Sequence, residues 1–251
     1  MIYYETNIKG LEMPVINFSH QKGGVGKSTL SYHLAYLLKQ DHKVILLDLD
    51  NQESVSEIDK LRSEDLQKTS LPITKIKNQD ELVEVINSID DDTYLTIDSG
   101  GFDSLYTRIA IMGADINITP IADRTMELLA VIKAYDPILS QVSKKLEEDV
   151  YCYVLLNRIH HSAKDFAHID ELLFSSKHLR ILKDLHKGIE RKTVIRERSI
   201  YDKTLVDGMA IHEVELPTNS KEREKHLAAR KDIENLRDSI FYHLKNVVNG
   251  S

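Results

Sequence analysis

Short apolar runs alternate along the chain with segments of helical periodicity. Five runs rich in β-branched and aliphatic residues predict strands at residues 15–19, 43–47, 94–97, 116–119 and 151–156, and a weaker run predicts a sixth at 179–182. Between them, apolar residues recur every three to four positions and predict helices at residues 29–39, 80–88, 126–142, 163–174 and about 221–248. Near-continuous apolar strands separated by helices predict an α/β fold, with a mostly parallel β-sheet flanked by helices on both faces.

Composition agrees with one globular domain. The chain has 251 residues, of which 41% are hydrophobic and 29% charged. We expect an N-terminal extension at residues 1–13 and a single domain at residues 14–251. No apolar run reaches the ~20 residues of a membrane span, and the first residues lack a signal-peptide core, so we expect a cytoplasmic protein. The single cysteine, Cys152, lies in an apolar strand, which favours burial over catalysis.

The clearest chemical motif is KGGVGKST, residues 22–29, between the first strand and the first helix. A glycine-rich loop in that position is typical of a phosphate-binding P-loop. Glycines let backbone N–H groups approach the phosphates at the helix N-terminus, Lys27 neutralises the β/γ charge, and Ser28 offers a hydroxyl to Mg²⁺. The predicted cofactor-binding residues of the loop are Gly23, Gly24, Val25, Gly26, Lys27, Ser28 and Thr29.

Three aspartates follow two of the other strands. Asp48 and Asp50 come after the strand at 43–47, and Asp98 ends the strand at 94–97. Because the carboxyl ends of parallel strands meet at one edge of the sheet, we expect these side chains beside the P-loop. There Asp98 can hold Mg²⁺, and a second acidic cluster can orient the attacking water.

The loop departs from the standard P-loop pattern at one position and carries an additional lysine. Gln21 stands where the first glycine is usual, and a second lysine, Lys22, precedes the glycines. This form resembles the deviant Walker A box of the ParA/MinD family of ATPases, and QKGGVGKST is close to the version found in partition ATPases. The resemblance implies an ATP-dependent homodimer in which Lys22 contacts the phosphates of the ATP bound by the other subunit. A solvated loop lysine is the alternative.

Two further segments extend the resemblance. DLDNQ is similar to the family box D-x-D-P-Q, with Asn51 in place of proline. The match implies that Asp50 acts on the hydrolytic water and that Asp48 supports the Mg²⁺ shell, although Asp48 is also suited to capping the next helix. VLLNRI is similar to the strand end that places Asn157 and Arg158 near adenine, although an asparagine there is also a common turn residue. The resemblance thus implies ATP and Mg²⁺ as cofactors. The predicted catalytic residues are Lys22, Lys27 and Asp50, and the predicted metal-binding residues are Ser28, Asp48 and Asp98.

The charge of one segment, and not the net charge of the chain, bears on the kind of cargo. The chain has 33 Lys and Arg against 40 Asp and Glu, a net charge of −7, yet residues 177–203 hold nine basic and four acidic residues. The segment resembles the region where partition ATPases place DNA-binding residues. The resemblance implies non-specific, salt-sensitive DNA binding and association with the nucleoid. It also implies a role in plasmid or chromosome partition, with a ParB-like partner that stimulates ATP hydrolysis. A solvated charged surface is the alternative. The predicted DNA-binding residues are Lys187, Arg191, Lys192, Arg196, Arg198 and Lys203.

The C-terminal helix bears on a second function in the same family. MinD-like proteins end in a basic amphipathic helix that binds membrane. Here an apolar stripe that includes Leu236, Ile240 and Leu244 faces a polar side of mixed charge, which favours packing against the sheet, so we do not expect a membrane partner. A MinD-type ATPase that positions a protein cargo at the membrane or pole remains the alternative function, because it would share every residue of the site.

Overall fold

A computed structural model describes residues 14–50, 52–65, 70–100, 103–186 and 188–249. The predicted extension at 1–13, Asn51 and Lys187 lie outside these ranges. The strands are β1 Val15–Phe18, β2 Lys43–Asp48, β3 Ile73–Lys75, β4 Thr93–Asp98, β5 Ile116–Ile121, β6 Cys152–Ile159, β7 Leu179–Ile181, β8 Lys183–His186, β9 Ile189–Lys192 and β10 Val194–Arg196. The helices are α1 Lys27–Leu38, α2 Ser54–Asp65, α3 Gln79–Ser88, α4 Leu105–Gly113, α5 Thr125–Leu146, α6 Ala167–Leu173, α7 Ser199–Val206 and α8 Ser220–Asn249.

Eight strands form one parallel sheet, which confirms the predicted fold class. Its order is β10-β6-β5-β1-β4-β2-β3, and β7 pairs with β6 on the same side as β10. Strands β8 and β9 form a separate antiparallel hairpin. The first strand therefore lies in the middle of the sheet between β4 and β5, and the loop that follows it opens at the centre of one sheet edge.

Helices cover both faces of the sheet because side chains along each strand alternate between the faces. In β1, Ile16 and Phe18 point into a core formed with α1, α7 and α8, whereas Val15 points into the opposite core beneath α3 and α4. Helices α5 and α6 cover the β5, β6 and β7 part of that opposite face. Helix α1 is buried around most of its circumference, which holds its N-terminus in a fixed position at the sheet edge.

The predicted strands and helices are present, with shifted ends. Strand β5 continues through Pro120. The pairing between β5 and β1 ends two residues earlier, at Ile118, so the missing N–H of Pro120 removes no hydrogen bond between these two strands. Helix α6 begins at Ala167 and not at residue 163, because the Asp165 side chain accepts the Ala167 N–H and starts the helix there. The apolar pattern of the sequence did not predict α2, α4, α7 or the short strands β3, β8, β9 and β10, because their apolar runs are short or interrupted by charge.

The C-terminal stripe packs as predicted. Leu236 and Ile240 are fully buried and Leu244 is nearly so, all in the core with α1 and the sheet. Cys152 in β6 is also fully buried, as its apolar surroundings predict. Within the described ranges, no helix is both long enough and apolar enough to cross a membrane.

Candidate functional site

The carboxyl ends of β1, β2 and β4 bring the P-loop and the aspartates together. Strand β4 lies between the other two, and Asp98 is the register partner of both Phe18 and Asp48. The loop after Phe18 therefore starts beside Asp98, with Asp48 one strand further on. Three predicted groups separated by up to eighty residues in sequence thus share one sheet edge.

The loop of residues 22–29 has the backbone of an anion cradle. Gly24 and Gly26 have φ values of +75° and +98°, in the left-handed region that glycine adopts without strain. Gly26 is the N-cap of α1 and supplies no side-chain cap, so the N–H groups of the first turn have no acceptor within the helix. These N–H groups and the positive end of the helix dipole suit a phosphate.

The two lysines of the loop occupy different environments. Lys27 is buried, and its Nζ lies 3.9 Å from Oδ2 of Asp50. Lys22 is exposed, and the described residues offer its Nζ no hydrogen bond or ion pair. Its backbone N–H donates to Nδ1 of His20 at 2.9 Å. Burial lowers the pKa of His20 to about 4, and the nearby lysine charges act in the same direction, so the imidazole stays neutral and can accept this bond.

Asp98 is a buried carboxylate whose surroundings suit a cation ligand. The residue is fully buried, and neither carboxylate oxygen has a hydrogen-bond partner in the described structure. Burial raises the pKa of Asp98 to about 7, although the Ser28 hydroxyl and the Lys27 charge act in the opposite direction. A buried carboxylate without partners is costly, and together with a serine hydroxyl it fits the oxygen preference of Mg²⁺. In the described ranges, no three His, Cys, Asp or Glu side chains lie close enough together to hold a metal ion by themselves.

The other two aspartates are held by local hydrogen bonds. Asp48 accepts the Asp50 N–H through Oδ1 at 3.2 Å, and the Ser56 N–H and hydroxyl through Oδ2 at 2.9 and 2.8 Å. These hydrogen bonds stabilise the start of α2, which agrees with the capping alternative for Asp48. The metal-binding role of Asp48 stays a prediction. Asp50 accepts the Gln52 N–H at 2.9 Å and keeps Oδ2 facing Lys27.

Gly100 is a site residue that the sequence analysis did not assign. A Cβ at this position would lie 2.7 Å from the Asp50 Cα and 2.8 Å from the Leu49 carbonyl oxygen. Only glycine therefore lets the loop after β4 lie against the loop that carries Asp50. Its position two residues after Asp98, the aspartate that ends β4, is the feature of the sequence that could have indicated this role.

A cleft of about 400 Å³ opens beside the P-loop. Asn157 donates to the Val25 carbonyl at 2.7 Å, and Arg158 donates to the Gly24 carbonyl at 2.6 Å, so the end of β6 holds the P-loop from one side. Gly26 has no room for a side chain, because a Cβ would lie 2.4 Å from Nδ2 of Asn157. The residues that line the cleft are Gly26, Thr29, Leu30, Asn157, Arg158, Ile195, Arg196, Glu197, Arg198, Ser199, Tyr201 and Asp202.

The predicted DNA-binding residues fall into two groups. Arg191 on β9 and Lys203 on α7 are exposed. Lys192 pairs with Asp170 at 2.5 Å, Arg198 pairs with Asp232 at 2.8 Å, and Arg196 donates to the carbonyls of His160 and Ala163. Internal partners therefore use part of the positive charge of this segment, and a role in DNA binding stays a prediction.

The parallel sheet, the glycine loop at the start of a buried helix and the strand-end aspartates define a P-loop nucleotide-binding protein. Residues 16–210 match the family described as the CobQ/CobB/MinD/ParA nucleotide binding domain, and the chain belongs to this family.

Solved structures share the fold at low sequence identity. An ATP complex of a McdA variant from Cyanothece is 16% identical with a TM-score of 0.62, over 91% of this chain and 96% of that one. A putative plasmid partition protein from Borrelia burgdorferi bound to AMPPNP is 16% identical with a TM-score of 0.58, over 89% and 99%. The septum site-determining protein MinD from Pyrococcus horikoshii, complexed with Mg-ADP, is 18% identical with a TM-score of 0.56, over 90% and 97%. A comparison with curated proteins found no match.

Proposed function

We propose that this chain is an ATPase switch of the partition type, which binds ATP with Mg²⁺, dimerises and then binds DNA without sequence specificity. The observation that carries the proposal is the exposed Lys22 beside a cradle that has a buried Lys27 and an unpaired Asp98. The similar folds of a McdA–ATP complex, an AMPPNP-bound partition protein and a Mg-ADP-bound MinD support this nucleotide chemistry.

Each site residue has a role in this proposal. The N–H groups of the first turn of α1 and the Lys27 ammonium bind the β/γ-phosphates, while Asp98 and Ser28 hold Mg²⁺, which when bound neutralises developing phosphate charge. Asp50, fixed through its bond to the Gln52 N–H, orients the attacking water. Phosphoryl transfer depends mostly on positioning and charge, so intrinsic turnover is slow until a ParB-like partner completes the site.

The role proposed for Lys22 leads to a first prediction. Lys22→Ala should bind ATP through its intact Lys27 yet stay monomeric with ATP, because the contact with the other subunit's phosphates is lost. Sedimentation velocity with ATP, ADP and no nucleotide measures this. The matched control is Lys144→Ala, an exposed lysine near the end of α5. A Lys22→Ala protein that dimerises with ATP as the wild type does would exclude the proposed role.

DNA binding is the second prediction and tests the proposed cargo. With ATP, affinity for non-specific duplex DNA should fall steeply with salt, because phosphate contacts release counterions. Lys203→Glu should weaken binding several-fold and reduce the salt slope, whereas Lys144→Glu, on the other face of the sheet, should not. Fluorescence anisotropy across a salt series, with ATP, with ADP and without nucleotide, gives both quantities.

A MinD-type positioning ATPase is the second candidate function. It is favoured by the internal partners of Lys192, Arg196 and Arg198, which reduce the charge free to contact DNA. The MinC:MinD complex from Aquifex aeolicus has a similar fold, with a TM-score of 0.55. ATP-dependent dimerisation without DNA binding at low salt would select this function over partition.

A further inference from the structure

A carboxylate on the C-terminal helix α8 forms hydrogen bonds with residues that line the cleft beside the P-loop. Asp232 in α8 is 8% exposed. Its Oδ2 accepts the Arg196 backbone N–H at 3.1 Å and Nε of Arg198 at 2.8 Å, and its Oδ1 lies 3.4 Å from the second Arg198 nitrogen. The Tyr201 hydroxyl lies 3.5 Å from Oδ2 and donates to the Ala229 carbonyl, also on α8, at 2.9 Å.

The residues that Asp232 contacts all line the cleft, whereas Asp232 itself does not. Arg196, Arg198 and Tyr201 belong to residues 195–202, which run from the end of β10 into the first half of α7 and form one wall of the cleft. The same wall is tied to the end of β6, because the Glu197 N–H donates to the Ile159 carbonyl at 3.0 Å. Asp232 therefore fixes both the backbone and the side chains of the wall.

The Arg198 guanidinium needs this partner. Its side chain is only 18% exposed, and an arginine this far from water is stable when its charge and its N–H groups are paired. Without the carboxylate, Arg198 would turn towards solvent or into the cleft, and the backbone at Arg196 would lose its acceptor. Either change would leave the wall with more than one conformation, and binding to it would then carry an added ordering cost.

We propose that Asp232 is a positioning residue for the nucleoside-binding part of the cleft: it acts through Arg196, Arg198 and Tyr201 to hold the wall against which the base and ribose of ATP bind. The inference rests on the proposed function, because it assigns the cleft beside the P-loop to the nucleoside. The triphosphate is bound at the other end of the site, by the P-loop, which Asp232 does not contact. Loss of Asp232 should therefore affect affinity for the nucleoside and not for the phosphate chain.

The test compares two ligands that differ by the nucleoside. Asp232→Asn keeps the size of the side chain and removes its charge, and should weaken ATP binding about tenfold, as expected for loss of charge-assisted hydrogen bonds, while binding of inorganic tripolyphosphate stays unchanged. Calorimetry on the full chain measures both affinities. The matched control is Asp238→Asn, the same substitution at an exposed position of α8, which should change neither affinity.

The outcomes separate this inference from the function on which it rests. Equal ATP affinity in Asp232→Asn and wild type would overturn the inference, and so would an equal loss for both ligands, which indicates a general structural role. If Asp232→Asn does not fold, Asp232→Glu keeps the charge, displaces the carboxylate and should show a smaller loss for ATP alone. A wild-type protein that does not bind ATP would overturn the proposed function and the inference with it.

Discussion

The buried carboxylate of Asp98 lowers the stability of the folded protein when no ligand is bound. A carboxylate that is fully buried without hydrogen-bond partners destabilises the nucleotide-free protein, since the unfolded chain would hydrate it. The raised pKa of Asp98, about 7, has the same origin in burial. Such a cost is typical of a residue whose role is in binding and not in folding, which agrees with the proposed metal role of Asp98.

Asp98→Asn is accordingly expected to stabilise the protein without nucleotide and to remove stabilisation by MgATP. Near pH 8 the free energy of unfolding should rise by about 1–3 kcal/mol, the cost of an unsatisfied buried charged group. Urea denaturation with and without MgATP measures both effects. Asp92→Asn, an exposed aspartate just before β4, serves as the control and should change neither. A less stable Asp98→Asn protein would show that Asp98 supports the fold and not a cation.

Among the elements, α2 carries a buried ion pair to a segment far along the chain. Arg62 is 2% exposed, and two of its nitrogens donate to the two carboxylate oxygens of Glu213 at 2.7 Å each. The guanidinium also lies 4.4 Å from the ring centre of Tyr36 on α1. Gly208 makes this approach possible, because a Cβ there would lie 2.5 Å from the Arg62 backbone nitrogen. The pair thus joins α2, which follows the Asp50 loop, to the segment after α7.

Removal of Arg62 should therefore cost far more than removal of an exposed charge on the same helix. Arg62→Ala is expected to lower the free energy of unfolding by about 3–5 kcal/mol, because it leaves the Glu213 carboxylate without its charged partner. Lys60→Ala removes the exposed pair with Glu57 and should cost about 0.5 kcal/mol or less. Chemical denaturation of both variants makes the comparison, and similar values would show that the Arg62 pair adds little.

Elements defined by local pattern could be predicted from the sequence, and elements held by distant partners could not. The glycine loop before Leu30 and Leu34 shows its strand, turn and helix within twenty residues, and the core strands are continuous apolar runs. By contrast, α2 depends on a partner 151 residues away, at Glu213, and the cleft wall depends on Asp232, 34 residues after Arg198. A sequence without an alignment gives no sign of such pairs. Hairpin β8–β9 was missed because its residues are mostly charged and exposed.

The whole molecule should lose stability in mild acid because of histidines buried in the neutral form. Burial lowers the pKa of His33 to about 3, and the neighbouring His212 adds to the effect. Nδ1 of His33 accepts the Ile211 N–H at 3.1 Å, which a protonated ring could not do. The ordinary pKa of about 6.5 applies in the unfolded chain, so unfolding takes up a proton as the pH falls from about 6.5 towards 3. The stability that neutral His33 contributes is complete above that window and is lost within it.

His33→Asn should reduce this dependence on pH. Between about pH 7.5 and about pH 5, the wild type should lose about 2 kcal/mol more than the variant, which is the proton uptake of one histidine. Denaturation curves at a series of pH values give the slope for each protein. His161→Asn, at an exposed position, should keep the wild-type slope. If His33→Asn kept that slope as well, other groups would account for acid sensitivity.

The burial of Cys152 makes the protein suited to site-specific labelling. The only thiol of the chain is fully buried in β6, and burial raises the pKa of Cys152, so little reactive thiolate forms near neutral pH. A cysteine introduced on the surface, for example Ser175→Cys, would then be the single reactive thiol of each subunit. Fluorophores attached there would test the proposed dimer by energy transfer between two copies of the chain, in a protein that keeps all of its native residues but one.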